Sequence, residues 1–211
     1  MASILIVDDH EIVRKGIYSL VNSHPDVDKI FEREGGNEAY QFLQSTSVDL
    51  IILDINLKGV SGIETLRKII LKYPKQKVLM LSMHDNPVIV QQAMNAGACG
   101  YICKSEFAES LNNAISTILE NKIFISDLML KQLKEYELDD QTNLKVLTTR
   151  EFEVFQFVTN GKTNEETSAE LNISPKTVAN KIAIIKDKLG VTSDFELFYA
   201  AQKQGLIKDS K

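Results

Sequence analysis

The 211-residue sequence has few of the features that mark a membrane protein. No apolar run approaches the roughly 20 residues that a bilayer-spanning helix needs. The longest apolar pieces are short and strand-like, such as DLIILDI. The N-terminus, MASILIVDDHE, turns acidic where a secretory signal would continue apolar. We therefore expect a cytoplasmic protein with no membrane partner.

Metal-binding thiols and nucleotide-binding glycine loops are also scarce. Cys99 and Cys103 are the only cysteines, and the three histidines are scattered along the chain. This set does not match the ligand spacing of a zinc site, so we expect two small buried thiols. The stretches GNEAYQF and GACGYICK lack the glycine spacing of a phosphate-binding loop, which excludes a kinase.

What is present is an ordinary globular composition with an uneven charge. Hydrophobic residues make up 44% and charged residues 25% of the chain, and its length suits two small domains. The net charge is −3 over residues 1–125, −2 over 126–147 and zero over 148–211. An acidic total does not forbid nucleic-acid binding, because that binding depends on a local basic face. Any such face must be modest.

Short apolar runs alternate with amphipathic stretches over the first 120 residues. Five such repeats predict an α/β domain with a parallel sheet covered by helices, in the flavodoxin-like strand order 2-1-3-4-5. The predicted strands are 3–7, 29–33, 50–54, 77–83 and 100–103, and the predicted helices are 11–23, 37–45, 62–72, 87–96 and 106–121.

The remainder of the chain predicts a linker and a small all-α domain. FISDLMLKQLKEY predicts a short helix to about residue 136, and ELDDQTN predicts an acidic linker. We therefore divide the chain into domain 1–125, a helical and acidic linker 126–146, and domain 147–211. Four helices are marked in the last domain by the capping pairs Thr148/Glu151, Thr163/Glu166 and Ser193/Glu196, by Ser174 before Pro175, and by the helix-ending Gly161 and Gly190.

Polar side chains cluster at the carboxyl ends of the predicted strands. Asp8 and Asp9 follow the first strand and Asp54 ends the third, so three carboxylates converge where open α/β sheets bind ligands. Oxygen ligands of this kind suit Mg²⁺, which can clamp a phosphoryl group while Asp54 attacks it. Lys104 and Ser82 lie at the same edge. The plainer alternative is that Asp8 and Asp9 merely cap a helix.

The motifs LIVDDH, VDLIILDINLKGVSGIE, VLMLS and GACGYICKS resemble the CheY-like receiver domain of two-component signalling. The resemblance implies phosphorylation by a sensor histidine kinase, Mg²⁺ as cofactor, and Lys58 in place of a usual proline. The implied phosphoacceptor is Asp54; the implied metal ligands are Asp8, Asp9, Asp54 and the backbone carbonyl of Asn56; the implied phosphoryl-contact and switch residues are Ser82, Tyr101 and Lys104. On phosphorylation, Tyr101 is expected to turn inward.

Residues 147–208 resemble the helix-turn-helix output domain of the LuxR/NarL/FixJ group through LTTRE, ISPKTV and KLGV. With the receiver, the resemblance implies a NarL/FixJ-type response regulator, a DNA-binding transcription regulator that forms a homodimer when phosphorylated. The candidate DNA contacts are Lys176, Thr177, Ala179, Asn180, Lys181 and Ala183.

Departures from the family pattern keep two other functions open. Relatives usually place a basic residue where Ala179 stands and often another where Ala183 stands. The first alternative is therefore an interaction module that is controlled by phosphorylation and whose helical domain binds protein instead of DNA. An enzyme of the haloacid-dehalogenase type also uses an aspartyl nucleophile after a strand. It needs a second acid two residues later, where this chain has Asn56, and we therefore expect no enzyme.

Overall fold

The computed structural model describes residues 1–83, 87–127, 129–131, 133, 144–203 and 206. The chain folds into two compact units, Met1–Glu135 and Tyr136–Lys211. The predicted boundaries at 125 and 147 stay a prediction, because the acidic stretch 137–143 lies outside the described residues.

A six-stranded parallel sheet forms the centre of the first unit. Its strands follow the order β2-β1-β3-β4-β5-β6. The near-continuous apolar runs of β1 and β3 are buried because helices cover both faces of a parallel sheet. The strands are β1 (Ala2–Val7), β2 (Val27–Arg33), β3 (Leu50–Asp54), β4 (Lys77–Ser82), β5 (Gly100–Cys103) and β6 (Phe124–Ile125).

Five helices connect these strands and enclose the core. They are α1 (Glu11–Asn22), α2 (Gly36–Phe42), α3 (Gly62–Lys72), α4 (Pro87–Asn95) and α5 (Phe107–Leu119). The inward faces of α1 and α5 pack on the central strands, with Ile17, Val21, Leu111 and Ile115 nearly inaccessible to solvent. This arrangement fixes every β-to-α loop at one edge of the sheet.

The predicted fold class and the strand order 2-1-3-4-5 are confirmed, with one correction. Phe124 and Ile125, which we assigned to the start of a helix, instead pair with Gly100 and Tyr101 as strand β6. A two-residue edge strand has no periodicity to detect, so that assignment was wrong. Residues 127, 129–131 and 133 are helical, and the rest of the predicted helix falls outside the described residues.

The second unit is helical in its described part. A 3-10 turn at Leu144–Val146 precedes α6 (Thr149–Thr159), α7 (Asn164–Leu171), α8 (Pro175–Leu189) and α9 (Asp194–Lys203). The predicted capping boxes at Thr148/Glu151 and Thr163/Glu166 are present, and Ser174 caps α8 with Pro175 in its first turn. Gly190 ends α8 in the left-handed region at φ 67°, as glycine permits.

Among the helices within the described ranges, none combines the length and the apolar character needed to cross a bilayer.

Candidate functional site: an acidic pocket and a reading helix

The acidic pocket lies at the carboxyl edge of the sheet. Asp8 follows β1 and Asp54 ends β3, and these two residues are 0% and 1% exposed. Each of Asp8, Asp9, His10 and Asp54 contributes one ligand atom to a group in which all atoms lie within 4.8 Å of one another. The structure therefore brings the three predicted carboxylates together.

Lys104 inserts its ammonium group between two of these acids. Its Nζ lies 2.7 Å from Asp8 Oδ2 and 3.0 Å from Asp54 Oδ2. Its backbone N–H donates to the carbonyl of Ser82 at 2.6 Å, which ties the ends of β4 and β5 together. Ser82 and Tyr101 are both fully buried. The predicted pocket residues thus share one edge of the sheet.

The helix-capping alternative for the acidic pair is wrong. The N-cap residue of α1 is His10, not Asp8 or Asp9, and the His10 side chain makes no capping hydrogen bond. Asp8 Oδ1 instead accepts the backbone N–H of His10 at 2.8 Å, while its other oxygen accepts from Lys104. The acids point into the pocket because the strand ends before the helix begins.

The charges of the pocket are incompletely balanced. Burial raises the pKa of Asp54; the nearby Lys104 ammonium opposes this rise and the Asp8 carboxylate adds to it. Burial alone would lower the pKa of Lys104, but Asp54 and Asp8 outweigh it and the pKa is raised. Three acids therefore face one buried lysine, and the excess negative charge favours a further cation.

The donor atoms fit a magnesium ion. Within the described part of the chain, the carboxylate oxygens of Asp9 and Asp54 and the side-chain oxygen of Asn56 form no hydrogen bond of normal geometry, although Lys104 Nζ lies 3.0 Å from Asp54 Oδ2 and His10 Nδ1 lies 3.0 Å from Asp9 Oδ1. Buried oxygens are normally satisfied, so this group calls for a partner. Several oxygen donors with room for water are the ligands that Mg²⁺ prefers.

Three further residues contact the pocket acids, and the sequence analysis did not predict these contacts. Arg14, 7% exposed, donates to the Asp8 backbone carbonyl at 2.7 Å and pairs with Glu32 and Glu34. His10 Nδ1 lies 3.0 Å from Asp9 Oδ1, and Lys58 Nζ lies 3.5 Å from Asp9 Oδ2. The adjacency of His10 to the acids was visible in the sequence, whereas the reach of Arg14 back to the strand end was not.

The loop after Asp54 folds tightly back on the strand. The Gly62 N–H donates to the Ile55 carbonyl at 2.8 Å, and Ser61 caps α3. A Cβ on Gly62 would stand 2.0 Å from the Asp54 carbonyl oxygen. Only glycine permits this approach, so Gly62 fixes the backbone that carries Asp54.

The predicted DNA contacts lie on α8. Lys176, Ala179, Asn180 and Ala183 are exposed, and Lys181 is half-buried. Thr177 is half-buried as well, and its hydroxyl lies 2.8 Å from the Ser174 hydroxyl within the helix cap. The opposite stripe is buried at Val178 and Ile185. Small and polar groups, with few charges, therefore form the outer face.

Half of the α8 lysines are already paired. Lys186 lies 2.9 Å from Asp194, and Lys188 lies 2.6 Å from Glu151 of α6. Lys176 and Lys181 form no ion pair with the rest of the described chain. This leaves two lysines on the helix for phosphate contacts.

Arg150 links the start of α6 to the end of α7, the helix that precedes α8. Arg150 Nη1 lies 2.7 Å from Glu153 Oε2, a side chain only 1% exposed. The other guanidinium nitrogen donates to the backbone carbonyl of Leu171, at the end of α7. The capping role of Glu151 was predictable from the sequence, but the Arg150–Leu171 and Glu151–Lys188 links span 21 and 37 residues and leave no local pattern.

Two family models match the chain. Residues 4–116 match the response regulator receiver domain, and residues 145–201 match the bacterial regulatory proteins of the luxR family. The transcriptional activator protein ExaE of Pseudomonas putida is 34% identical over 209 residues, covering 97% of this chain and 98% of that protein.

Other relatives agree along most of the chain. The transcriptional regulatory protein UhpA of Escherichia coli (strain K12) is 35% identical over 198 residues, covering 93% of this chain and 96% of that protein. The crystal structure of a LuxR-family two-component response regulator from Aurantimonas sp. SI85-9A1 is 32% identical, with a TM-score of 0.64, and covers 66% of this chain and 99% of that chain. This chain belongs to the NarL/FixJ-type response regulators, in which a receiver domain is joined to a LuxR-type DNA-binding domain.

Proposed function

We propose that Asp54 accepts a phosphoryl group from a sensor histidine kinase and that this modification controls transcription from DNA bound by α8. The observation that carries the proposal is the Asp54 side chain. It is 1% exposed, its Oδ2 lies 3.0 Å from the Lys104 ammonium, and it lies in one cluster with Asp8 and Asp9. A buried carboxylate so placed is a nucleophile held ready for an incoming group.

The transfer needs only one bond to form and one to break. An Asp54 oxygen forms the new P–O bond while the P–N bond to the donor imidazole breaks, and the departing nitrogen keeps the electron pair. When bound, Mg²⁺ neutralises the acids and clamps the phosphoryl oxygens. Asp8, Asp9, Asp54 and the Asn56 carbonyl would hold it, while Lys104 and the Ser82 hydroxyl orient the transferred group.

The coupling we propose runs through Lys104 and Ser82. A phosphoryl group on Asp54 competes with Asp8 for the Lys104 ammonium, so the link between β4 and β5 changes. Tyr101 is already buried at 0% exposure. The inward position that we expect of Tyr101 in the phosphorylated protein is the one seen in this structure, and an outward position before phosphorylation stays a prediction.

The output we propose is a phosphorylation-dependent homodimer in the cytoplasm that reads DNA through two copies of α8. Lys176, Thr177 and Lys181 would contact phosphates, and Asn180 would pair with adenine. Ala179 and Ala183 would rest against thymine methyl groups. The half-site should therefore be A·T-rich at its centre, and low affinity per copy makes the second copy necessary.

Phosphoryl uptake tests the first half of the proposal. Wild-type protein should be labelled by a small-molecule phosphodonor with Mg²⁺, and Asp54→Asn should not be, because the amide keeps the shape but lacks the nucleophile. Asp28→Asn, at an exposed position of β2, is the matched control and should label fully. Stable labelling of Asp54→Asn at another residue would overturn the assignment.

One observation favours a second candidate, an interaction module whose helical domain binds protein. The outer face of α8 carries Ala179, Ala183 and Ile184, the last 46% exposed. Binding of phosphorylated full-length protein to fragmented genomic DNA separates the two. Enriched fragments support DNA reading, and their absence with fully phosphorylated protein supports the protein-binding module.

A further inference from the structure

A basic surface lies on the first unit, away from the acidic pocket. Residues 62–77 carry five of the twelve Lys and Arg residues of positions 1–125 but only one of the fifteen Asp and Glu residues. The rest of that region is therefore strongly acidic. The basic residues lie on α3, on its connection to β4 and on the first residue of β4, and none of them belongs to the acidic cluster around Asp54.

Three lysines and two tyrosines define this surface, which we term the lysine groove: Lys68, Lys72, Lys75, Tyr40 and Tyr73. Lys72 Nζ lies 5.2 Å from the centre of the Tyr40 ring and 5.4 Å from that of Tyr73. The tyrosine rings thus hold the ammonium group in place without neutralising it, since the attraction of a ring for a cation leaves the charge intact.

The lysine groove has two depressions that meet at Lys72. One, of ≈ 400 Å³, lies between α2 and α3, and the other, of ≈ 610 Å³, lies along the α3–β4 connection. Thr65, 2% exposed, lines the first, and its hydroxyl has no hydrogen-bond partner within the described residues. Asn37 adds an exposed amide. The exposed surface therefore offers one amide as well as positive charge, whereas the Thr65 hydroxyl lies buried beneath it.

The three lysines are not neutralised within the described chain. All three are exposed, and no ion pair joins Lys68, Lys72 or Lys75 to the acids that the structure describes. Asp49 is the one acid that lines the second depression, and its Oδ2 already accepts from the backbone N–H and the hydroxyl of Ser3 at 2.7 and 2.8 Å. Like charges held this close together favour an anionic partner.

We propose that the lysine groove binds the phosphate backbone of duplex DNA as a second contact of the full-length protein, an inference that rests on the proposed DNA-binding function. The charge balance favours this occupant. The DNA-binding region 148–211 has no net charge, and two of the four lysines of α8 are held in ion pairs. Three further lysines would supply the electrostatic attraction that the reading helix lacks, because phosphate contacts provide most sequence-independent affinity.

The test measures the salt dependence of binding by phosphorylated full-length protein to a duplex with two A·T-centred half-sites, by fluorescence anisotropy. The variant replaces Lys68, Lys72 and Lys75 by Gln. Each lost phosphate contact lowers the slope of log K against log salt by about 0.9, so the slope should fall by about 2–3. The control removes the same formal charge elsewhere on the first unit, by replacing Lys15, Lys29 and Lys122, all exposed, with Gln; Lys15 and Lys122 pair with Glu11 and Glu120, so the control also tests whether only unpaired lysines contribute.

The outcomes separate this inference from the proposed function. A slope reduced in the lysine-groove variant and unchanged in the control supports the second contact. If wild-type protein binds the duplex and the variant shows the same slope, the second DNA contact is overturned. An acidic protein would then be the partner that the charge of the groove favours. If wild-type protein binds no duplex at all, the proposed DNA-binding function fails, and this inference fails with it. Phosphoryl uptake by the variant should equal that of wild type, because none of the three lysines belongs to the acidic cluster, and it reports that the unit is folded.

Discussion

At the scale of single residues, Gly62 sets how Asp54 is presented. A Cβ there would lie 2.0 Å from the Asp54 carbonyl oxygen and 2.7 Å from the Ile55 Cα, and both are backbone atoms that cannot yield cheaply. We expect Gly62→Ala to lower the free energy of unfolding of the first unit by about 1–3 kcal/mol, the usual cost of overpacking. Urea unfolding followed by circular dichroism measures this.

Gly16 provides the matched control for that substitution. A Cβ on Gly16, on the exposed face of α1, would meet nothing within 4 Å. Gly16→Ala should therefore stabilise the helix by about 0.5–1 kcal/mol, because alanine loses less backbone entropy. Equal effects of the two alanines would show that the close approach at Gly62 does not constrain the pocket.

On α8, single substitutions should separate base-specific contacts from contacts with the phosphate backbone. Asn180→Ala should cost about 1–3 kcal/mol of binding and relax the preference at one base pair. Lys176→Ala should weaken all sequences about equally, because a phosphate contact carries no sequence information. Affinities for a set of single-base variants of the selected site measure both. A uniform loss for Asn180→Ala would remove it from the reading residues.

The sequence predicted which acids form the pocket but not which side chains bond to the backbone around them. Asp8, Asp9 and Asp54 could be placed because strand ends are marked by the change from apolar to acidic residues, and parallel strands share an edge. Arg14 could not, since its bonds to Asp8, Glu32 and Glu34 depend on how α1 packs against β2. Long side chains that act across elements leave no local pattern.

At the scale of elements, Glu151 joins the start of α6 to the end of α8. Its carboxylate accepts the Thr148 N–H at 2.7 Å and lies 2.6 Å from Lys188 Nζ. Glu151→Gln keeps an acceptor for the cap and removes the charge that pairs with Lys188. We expect a loss of about 1–2 kcal/mol in the stability of the second unit. Hydrogen exchange of peptides from α6 and α8 measures it.

Two outcomes define that prediction more closely. Glu170 pairs with Lys162 at 2.6 Å, but Glu170 is exposed and Lys162 only half-buried, so Glu170→Gln should change the stability by no more than about 1 kcal/mol. If Glu151→Gln leaves exchange in α8 unchanged while α6 loosens, Glu151 acts only as a cap and the two helices are held by apolar packing alone.

The same carboxylate makes the second unit sensitive to acid. Burial raises the pKa of Glu151, but Lys188 and the Thr148 N–H outweigh it, and the pKa is lowered. A lowered folded pKa means that the stabilisation is complete above the ordinary glutamate pKa of about 4.3 and is lost as the pH falls through the folded value. Protection of the α6 and α8 amides, relative to their intrinsic exchange rate at each pH, should therefore fall below about pH 4 in wild type, and less so in Glu151→Gln.

Element boundaries in this chain show what local sequence encodes. The helices of the second unit were predictable because their ends carry capping residues, as at Thr148, Thr163 and Ser174. Strand β6 was not, because Phe124 and Ile125 form a strand only through pairing with Gly100 and Tyr101. Pairing with a distant segment is a property of the folded sheet and is absent from a short window of sequence.

At the scale of the whole molecule, we expect phosphorylation of Asp54 to increase self-association of the protein. Redistribution of the contacts of Lys104 should alter the surface of α4, β5 and α5, where a second copy could dock. Sedimentation velocity should show a larger dimer fraction for phosphorylated wild type than for unphosphorylated protein, and no change for Asp54→Asn given the same phosphodonor. Equal dimer fractions in every sample would exclude dimerisation as the switch.

We propose that phosphorylation of Asp54 sets the affinity of the protein for DNA. The direct measurement is the affinity of full-length protein for a duplex with two A·T-centred half-sites, with phosphorylation of each sample verified by mass. Phosphorylated wild type should bind about 100-fold more tightly than unphosphorylated wild type, because two linked copies bind where one could not. Asp54→Asn should show no gain with the same phosphodonor. Equal affinities for fully phosphorylated and unphosphorylated wild type would contradict the account.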